Sequence, residues 1–428
     1  MSDLVRKGQT SRKRIAFRAM SVMWLLAGFT VSYIIASMAQ EGTFNVLNLN
    51  IATDLALSTF TTFTIITLVV RYVRRFALVN LWAIVAFVVL AFGAIQILIY
   101  SALMQVFSPI FHIVFYILTI GIMSIWVRMI KKIQYLRLAY VPFGITEEVV
   151  AAGHSQLDLI RIEKPDIARL PGKLNGIVVD TREPLSDEWV RFLAACRLNG
   201  LRVYQAEELF EGATGRISLS HLSSGIVDDF SGNMTYQVLK RLLDLLIVVA
   251  ACPFILLFMF ITAIAVRLET PGPALFIQDR VAQGGRKFKI LKFRSMTVDL
   301  EVRESQFTGE NDKRITRVGW FIRRFRLDEI PQFWNIFKGE MSLIGPRPEQ
   351  PEFVDKFRDG IPFYDYRHTV KPGITGWAQV TLGYVADEKS TWDKLEYDLY
   401  YIKHQSFWLD MLIAMKTVRT VITGFGAR

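Results

Sequence analysis

The sequence predicts three parts in series. A membrane α-helical bundle of four transmembrane helices occupies residues 1–137, and a small α/β module with a parallel sheet and a linker occupies 138–230. An α/β-type C-terminal domain over 231–428 carries a re-entrant membrane helix at 240–267. Three observations lead there. Hydrophobic residues make up 52% of the 428, yet they are concentrated in the first 130 residues and in one run near 242–266, which is how membrane segments joined to a soluble part read. Short apolar runs alternate with a helical pattern between 138 and 204. Beyond 271 the chain turns strongly basic, with rigid Gly-Pro turns.

Four apolar stretches run over 15–39, 49–70, 79–103 and 108–130, each near the ~20 residues that cross a hydrocarbon core. The first is too long for a removable signal peptide and lacks a small-residue cleavage site. Arg6, Lys7, Arg12, Lys13, Arg14 and Arg18 precede it. Arg71, Arg74 and Arg75 follow the second stretch, and Arg128, Lys131, Lys132 and Arg137 close the fourth. The two opposite loops hold Glu41 and the Ser108-Pro109 segment, without Lys or Arg. By the positive-inside rule, both ends of the bundle and everything after it face the cytoplasm. Asp54 reads as an interfacial or helix-capping carboxylate. No chain of intramembrane charges marks a transport path, so the bundle reads as an anchor or assembly element.

In the module, Leu138–Gly144, Gly176–Asp180 and Leu201–Tyr204 read as strands and turns, and Ser186 opens a helix that Asn199-Gly200 stops. A dinucleotide fingerprint would need Gly-x-Gly-x-x-Gly after the first strand. Only Gly144 and Gly153 lie nearby, so a structural or regulatory spacer is expected. The segment 211–233, rich in Gly, Ser, Thr and Asp, reads as a linker.

Lys240-Arg241 and Arg267 bracket the apolar run 242–266. Pro253 near its middle removes a helical hydrogen bond and clashes with the preceding turn, predicting a helix break. Asp244 is expected to pair with Lys240 at i,i+4. Between 280 and 326, Lys and Arg outnumber acids more than twofold, which suits the cytoplasmic face beside anionic lipid. Entry and exit by one face is therefore expected, with a full span as the alternative.

The net charge of +11 suits anionic partners: lipid head groups, nucleotides or nucleic acid. Two cysteines, Cys196 and Cys252, and five scattered histidines supply neither a disulfide framework nor a zinc pattern. In Lys287–Met296 basic and apolar residues alternate, placing Lys292 and Arg294 on one strand face with Lys287 and Lys289 offset. Such a row of cations suits a diphosphate. Asn311–Arg317, including Arg314, leads into a helix carrying Arg323, Arg324 and Arg326, followed by Leu327-Asp328-Glu329-Ile330-Pro331-Gln332. Adjacent carboxylates can divide roles, one attacking phosphorus and one holding Mg²⁺, which prefers one or two carboxylates plus substrate phosphates and water. Alone, an Asp-Glu dipeptide is uninformative. Its setting gives it weight: Gly345-Pro346-Arg347-Pro348-Glu349 and Lys371–Gln379 form rigid turns, and Glu396-Tyr397-Asp398 adds acids and an aromatic.

Five motifs stand in order: Lys-Arg-x-x-Asp at 240–244, Lys-Phe-Arg-Ser-Met at 292–296, Leu-Asp-Glu-Ile-Pro-Gln at 327–332, Gly-Pro-Arg-Pro-Glu at 345–349 and Lys-Pro-Gly-Ile-Thr-Gly at 371–376. Residues 236–428 thereby resemble the bacterial polyprenyl phosphate sugar phosphotransferases, the monotopic phosphoglycosyl transferases. The N-terminal half resembles the additions of their large subgroup: four membrane helices and a Rossmann-like module. The resemblance implies an enzyme of the bacterial inner membrane, with its catalytic domain cytoplasmic. It would transfer a sugar-1-phosphate from a UDP-sugar to undecaprenyl phosphate by a ping-pong route, as the first membrane step of a surface glycan. It implies Asp328 as the nucleophile and Glu329 as the Mg²⁺ ligand. Lys292, Arg294, Arg314 and Arg347 would be phosphate-holding residues, with Gln379 and Asp398 further site residues and Pro253 the helix break. Cys252 stands where members of the family often have Ser, which changes a hydrogen-bonding group at the break. The family suggests a homodimer and, for the sugar, glucose or galactose. Nucleic acid is excluded by the membrane bundle and the lack of any nucleic-acid fold signature. A catalytically inactive scaffold is the alternative, against which the intact Asp328-Glu329 pair speaks.

Overall fold

The computed structural model describes residues 22–31, 33–34, 49–73, 81–102, 109–133, 136–153, 157–171, 174–182, 184–222, 230, 234–297, 314–382 and 388–423. The N-terminal cations Arg6–Arg18, Glu41, Arg74, Arg75, Ser108 and Asn311–Lys313 lie outside these residues, as do the side chains of Asp54, Lys131 and Lys132. The chain divides into two compact units, Met1–Gly215 and Arg216–Arg428.

In the first unit, helices α1 (Val22–Val31), α2 (Leu49–Val73), α3 (Leu81–Ala102) and α4 (Pro109–Ile133) fall within the four apolar stretches or overlap them. Among the described residues, two helical segments are long and apolar enough to cross a membrane, His112–Met129 of α4 and Met234–Glu269 of the second unit; Phe60–Val70 and Ile84–Gln96 are shorter apolar segments of α2 and α3. The module follows: β1 (Leu136–Tyr140), α5 (Thr146–Ala152), β2 (Leu157–Arg161), β3 (Gly176–Val179), α6 (Asp187–Leu198), β4 (Arg202–Gln205) and α7 (Ala206–Thr214). The strands form a parallel sheet in the order β2-β1-β3-β4. Because strand side chains alternate, Leu136, Leu138 and Val178 face α5 and α7, while Ala139, Ile177 and Val179 face Phe192, Leu193 and Cys196 of α6. Helices thus cover both faces, as a parallel sheet requires.

The expected linker is partly built structure. Residues 211–214 complete α7, where Glu211 is buried, and the amides of Ile217 and Leu219 donate to the backbone carbonyl and side chain of Glu396. These bonds hold Ile217 and Leu219 within the second unit, which begins at Arg216.

The second unit comprises α8 (Met234–Glu269), the hairpin of β5 (Leu275–Val281) and β6 (Lys287–Phe293), α9 (Arg317–Arg324), α10 (Gln332–Lys338), β7 (Ser342–Ile344), α11 (Pro351–Gly360), β8 (Gly373–Thr375), α12 (Trp377–Leu382), α13 (Glu388–Lys403) and α14 (Phe407–Thr423). α8 is one continuous helix of 36 residues with Pro253 inside it, so the expected break does not interrupt the helix. A proline costs one ladder hydrogen bond and can be absorbed by a bend. Lys240 and Asp244 make no direct ion pair, but the Lys240 charge still acts on the buried Asp244 carboxylate, as expected; their hydrogen-bond partners are longer-range. Lys240 bonds to Asp410, and Asp244 accepts from the Ser342 hydroxyl at 2.7 Å and the Leu343 amide. Val248 packs with Phe288, Ile290, Ile336 and Met341, and Val266 packs with Ala274, Phe293 and Ile322. Both arms of α8 therefore rest on the same hairpin, while Phe254, Leu256, Leu257 and Phe260 between them are exposed.

Candidate active site

The site is assembled around a single turn of 3₁₀ helix, Leu327–Glu329, between α9 and α10. α9 is fixed from both sides. The Glu269 carboxylate accepts from the amides of Arg317 and Val318, and the Thr316 hydroxyl accepts from Gly319, satisfying donors that a helix start leaves open. A Cβ on Gly319 would stand 2.0 Å from the Ser295 carbonyl oxygen, so only glycine lets α9 approach the end of β6. Arg326 then adopts a left-handed conformation (φ 58°), a strained choice for a non-glycine residue, and swings the chain into the turn. On the other side Asn335 of α10 bridges to β6, donating to the Lys289 carbonyl and accepting from the Leu291 amide. These contacts set the turn opposite Lys292.

Glu329 is 4% exposed. Its Oε1 accepts from Arg347 at 2.9 Å and lies 3.5 Å from the Lys292 ammonium. Its Oε2 is buried without a hydrogen bond, with Arg326 at 3.8 Å. Burial alone would raise its pKa, but the charges of Arg347, Lys292 and Arg326 outweigh burial and hold it well below the usual carboxylate range. Asp328 is half-buried and makes no hydrogen bond or ion pair among the described residues. Burial and the Glu329 charge push its pKa up to about 6, against the pull of Lys292, Arg323 and Arg347. The neighbours thus drive two adjacent carboxylates apart: one fixed as an anion, the other poised near neutrality. Burial and Arg347 push the Lys292 ammonium down to about 8. Arg323 contributes a buried Nη1 without a partner.

Lys292, Arg347, Asp328 and Glu329 are brought together. Arg294 shares the inward face of β6 with Lys292, as the alternation predicts, but its guanidinium donates to the carbonyls of Pro271 at 2.8 Å and Thr270 at 2.7 Å. It ties the end of α8 to β6. Gly272 (φ 115°) accommodates it, since a Cβ there would stand 2.6 Å from Arg294 Nη1. Arg314 pairs through its backbone with Thr297. Gln379, on α12, donates to the Ile374 carbonyl, and its Oε1 is buried without a partner. Asp398 reaches the site through Arg367, which donates to Asp398 and to the Arg347 carbonyl, both at 2.9 Å.

Arg367, Arg280 and Lys394 escaped the sequence reading. Arg280 contacts the Pro348 carbonyl and Glu349, while Lys394 and Arg367 hold Glu349 from the other side. The spacing of these residues carries no period. The available signal was the density of charge around two Gly-Pro turns.

Among the described residues no three His, Cys, Asp or Glu gather as a metal cage. The donor set still fits Mg²⁺, which takes one or two carboxylates and completes its shell with phosphate and water. Glu329 Oε2 is the buried carboxylate oxygen of this set without a hydrogen bond.

Against known proteins, residues 235–424 match the family described as bacterial sugar transferase. Over 299 residues the chain is 45% identical to the UDP-N-acetylgalactosamine-undecaprenyl-phosphate N-acetylgalactosaminephosphotransferase of Aeromonas hydrophila, covering 70% of each protein. It is 38% identical over 226 residues to the UDP-glucose:undecaprenyl-phosphate glucose-1-phosphate transferase of Xanthomonas campestris pv. campestris, covering 52% of this chain and 45% of that protein. A protein of the same description from Escherichia coli (strain K12) is 41% identical over 186 residues, 42% of this chain and 40% of its own length.

Proposed function

The chain belongs to the bacterial sugar transferase family, and from that premise we propose that it moves a sugar-1-phosphate from a UDP-sugar to undecaprenyl phosphate, yielding undecaprenyl diphosphate sugar and UMP. The observation that carries the reading is Asp328: a carboxylate with no hydrogen bond, beside an anchored Glu329, facing Lys292, Arg323 and Arg347.

The Asp328 carboxylate attacks the sugar-bearing phosphorus, the bond to the bridging oxygen breaks, and UMP leaves with that oxygen. An aspartyl phosphosugar remains. An oxygen of undecaprenyl phosphate then attacks the same phosphorus and releases Asp328. Lys292, Arg323 and Arg347 hold phosphoryl oxygens, and catalysis comes from positioning and charge stabilisation. Glu329 Oε2 would hold Mg²⁺, which when bound supplies charge neutralisation for the diphosphate. Arg367, tied to Asp398, keeps the Arg347 backbone in place.

The lipid acceptor demands a membrane-facing site. Trp320, Phe321 and Phe325 at α9, and Trp334 and Phe337 on α10, are exposed on the elements that flank the turn. Arg324 and Lys338 stack beside two of these rings, a composition suited to the membrane interface. Both arms of α8 rest on one hairpin, which supports entry and exit by one face. On this reading the N-terminal helices anchor the enzyme in the inner membrane with the second unit in the cytoplasm.

The Aeromonas hydrophila relative, aligned over 299 residues, is named for UDP-N-acetylgalactosamine, so UDP-N-acetylgalactosamine is the first donor to test, ahead of UDP-glucose and UDP-galactose. Membranes carrying the protein are incubated with each donor and undecaprenyl phosphate, and UMP release is measured. A donor labelled in its β-phosphate should label the wild type covalently and leave Asp328→Asn unlabelled and inactive. Full turnover by Asp328→Asn would remove the nucleophile from this position.

A further inference from the structure

A small cleft of about 40 Å³ opens at the far end of α10 from the carboxylate turn. Gln237, Arg241, Asp244, Ser342, Lys371 and Gln405 line it. We infer that this cleft is a second phosphate site, separate from the reacting centre, and that it takes the phosphate head group of an anionic membrane lipid.

Its charges are arranged for an anion. Arg241 donates to the carbonyls of Ile336 at 2.5 Å and Phe337 at 2.9 Å, which caps α10 and fixes the plane of the guanidinium. Lys371 makes no hydrogen bond or ion pair among the described residues. Both Arg241 Nη2 and Lys371 Nζ lie within 4 Å of the point where a Cβ would stand on Gly339, so two cations converge on one opening. Burial and the Arg241 charge lower the Lys371 pKa, with Asp244 opposing. Two like charges held this close, one of them unpaired, are stabilised by an anion between them. The other charged groups of the cleft are already matched: Lys240 by Asp410, and Asp244 by Ser342 and Leu343.

Two polar atoms remain unmatched. Gln237 Nε2 is a buried donor without an acceptor, and Oε1 of Gln405, a residue 8% exposed, is a buried acceptor without a donor. Buried polar atoms are ordinarily satisfied. A phosphate bearing a hydroxylated head group offers acceptor oxygens for Gln237, Arg241 and Lys371 and a hydroxyl for Gln405.

Free phosphate offers the same oxygens. The surroundings of the cleft favour a lipid. Val238 and Leu242, on either side along α8, are 64% and 61% exposed, and Phe337 on α10 is 48% exposed. Acyl chains would cover these residues and free phosphate would not. The site is also not the reacting one. The seven residues of α10 separate it from Leu327–Glu329, roughly 10 Å at 1.5 Å per residue, whereas reacting atoms must approach to about 3–3.5 Å. A lipid held here seats the domain on the bilayer.

The test uses the full-length protein in nanodiscs of phosphatidylcholine alone or with phosphatidylglycerol. Reductive methylation of lysines is followed by peptide mapping. Phosphatidylglycerol should slow modification of Lys371 about tenfold or more relative to Lys338, the effect of one charge-assisted hydrogen bond. Using Lys338 of α10 as the reference removes any general effect of surface charge. Gln237→Leu leaves the α10 cap intact and should reduce the protection; Arg241→Gln should abolish it. Equal protection by inorganic phosphate in phosphatidylcholine discs would reassign the cleft to a free anion. Unchanged Lys371 reactivity in every disc, or undiminished protection in both variants, would overturn the site.

Discussion

Asp180 in the first unit and Glu329 in the second are both buried carboxylates held by arginine, at 2% and 4% exposure. Asp180 follows β3, at the point where the parallel sheet changes its direction of growth and where α/β sheets commonly take ligands. That crevice is filled by the protein itself. Asp180 accepts from the amides of Ile145 and Arg182 and twice from the Arg182 side chain, and Arg182 continues to Glu207. Gly144 (φ 58°) permits the approach, since a Cβ there would stand 2.6 Å from Asp180 Oδ2. Every oxygen of Asp180 has a partner. Glu329 has more positive charge around it and fewer bonds: one oxygen is unmatched, and its neighbour Asp328 bonds to nothing. A saturated carboxylate holds structure together. An unsaturated one among surplus cations holds a place for a ligand.

Removing Glu329 should break this contrast most severely. Glu329→Ala leaves Lys292, Arg326 and Arg347 without their shared anion and takes away the oxygen assigned to Mg²⁺. UMP release should fall about 10²–10³-fold, the range for losing a preorganised electrostatic group. Its Mg²⁺ dependence should flatten as well. An unchanged Mg²⁺ titration would remove the metal role from Glu329.

The pH dependence sharpens the same contrast. In the proposed mechanism the attacking Asp328 must be ionised. With its pKa pushed up to about 6, kcat/KM should fall as pH drops through that value. Lys292 must be charged. With its pKa pushed down to about 8, kcat/KM should fall again as pH rises through 8, giving a bell-shaped profile. The Glu329 charge raises both groups, so residual activity of Glu329→Ala should show both limbs at lower pH. An acid limb that stays in place belongs to a group other than Asp328.

Much of this was written locally and could be read. Alternating strand and helix patterns between 138 and 204 read as a parallel sheet, though β2 (Leu157–Arg161) went unread, and alternation in β6 put Lys292 and Arg294 on one face. What each of those two cations touches was not local. Arg294 meets the carbonyls of Thr270 and Pro271, while Lys292 meets Glu329, 37 residues further along the chain. The same holds for Lys240, which acts on Asp244 through its charge but donates its hydrogen bond to Asp410, 170 residues away. Glycine and polar content in 211–222 resembled a linker because composition cannot show Glu396 waiting to accept the amides of Ile217 and Leu219. Pro253 signalled a local cost, and how α8 absorbs that cost depends on the surroundings of the whole helix.

The smallest effect should come from the saturated carboxylate. Asp180→Asn keeps the shape but weakens the two bonds from Arg182, which is only 19% exposed. Burial alone would raise the Asp180 pKa, but the bonds from Arg182 and Ile145 outweigh it and lower the value. A carboxylate with a depressed folded pKa adds stability that is fully present above the unfolded value of about 3.9 and is lost as pH falls through the folded one. At pH 7 the variant should therefore be about 1–3 kcal/mol less stable in the first unit. The difference from wild type should shrink in thermal melts taken below pH 4. UMP release, measured well below the melting temperature, should be unchanged. If Asp180→Asn instead kept its stability and lost turnover, the crevice after β3 would be a working site, and bond saturation would no longer separate structural from functional carboxylates in this protein.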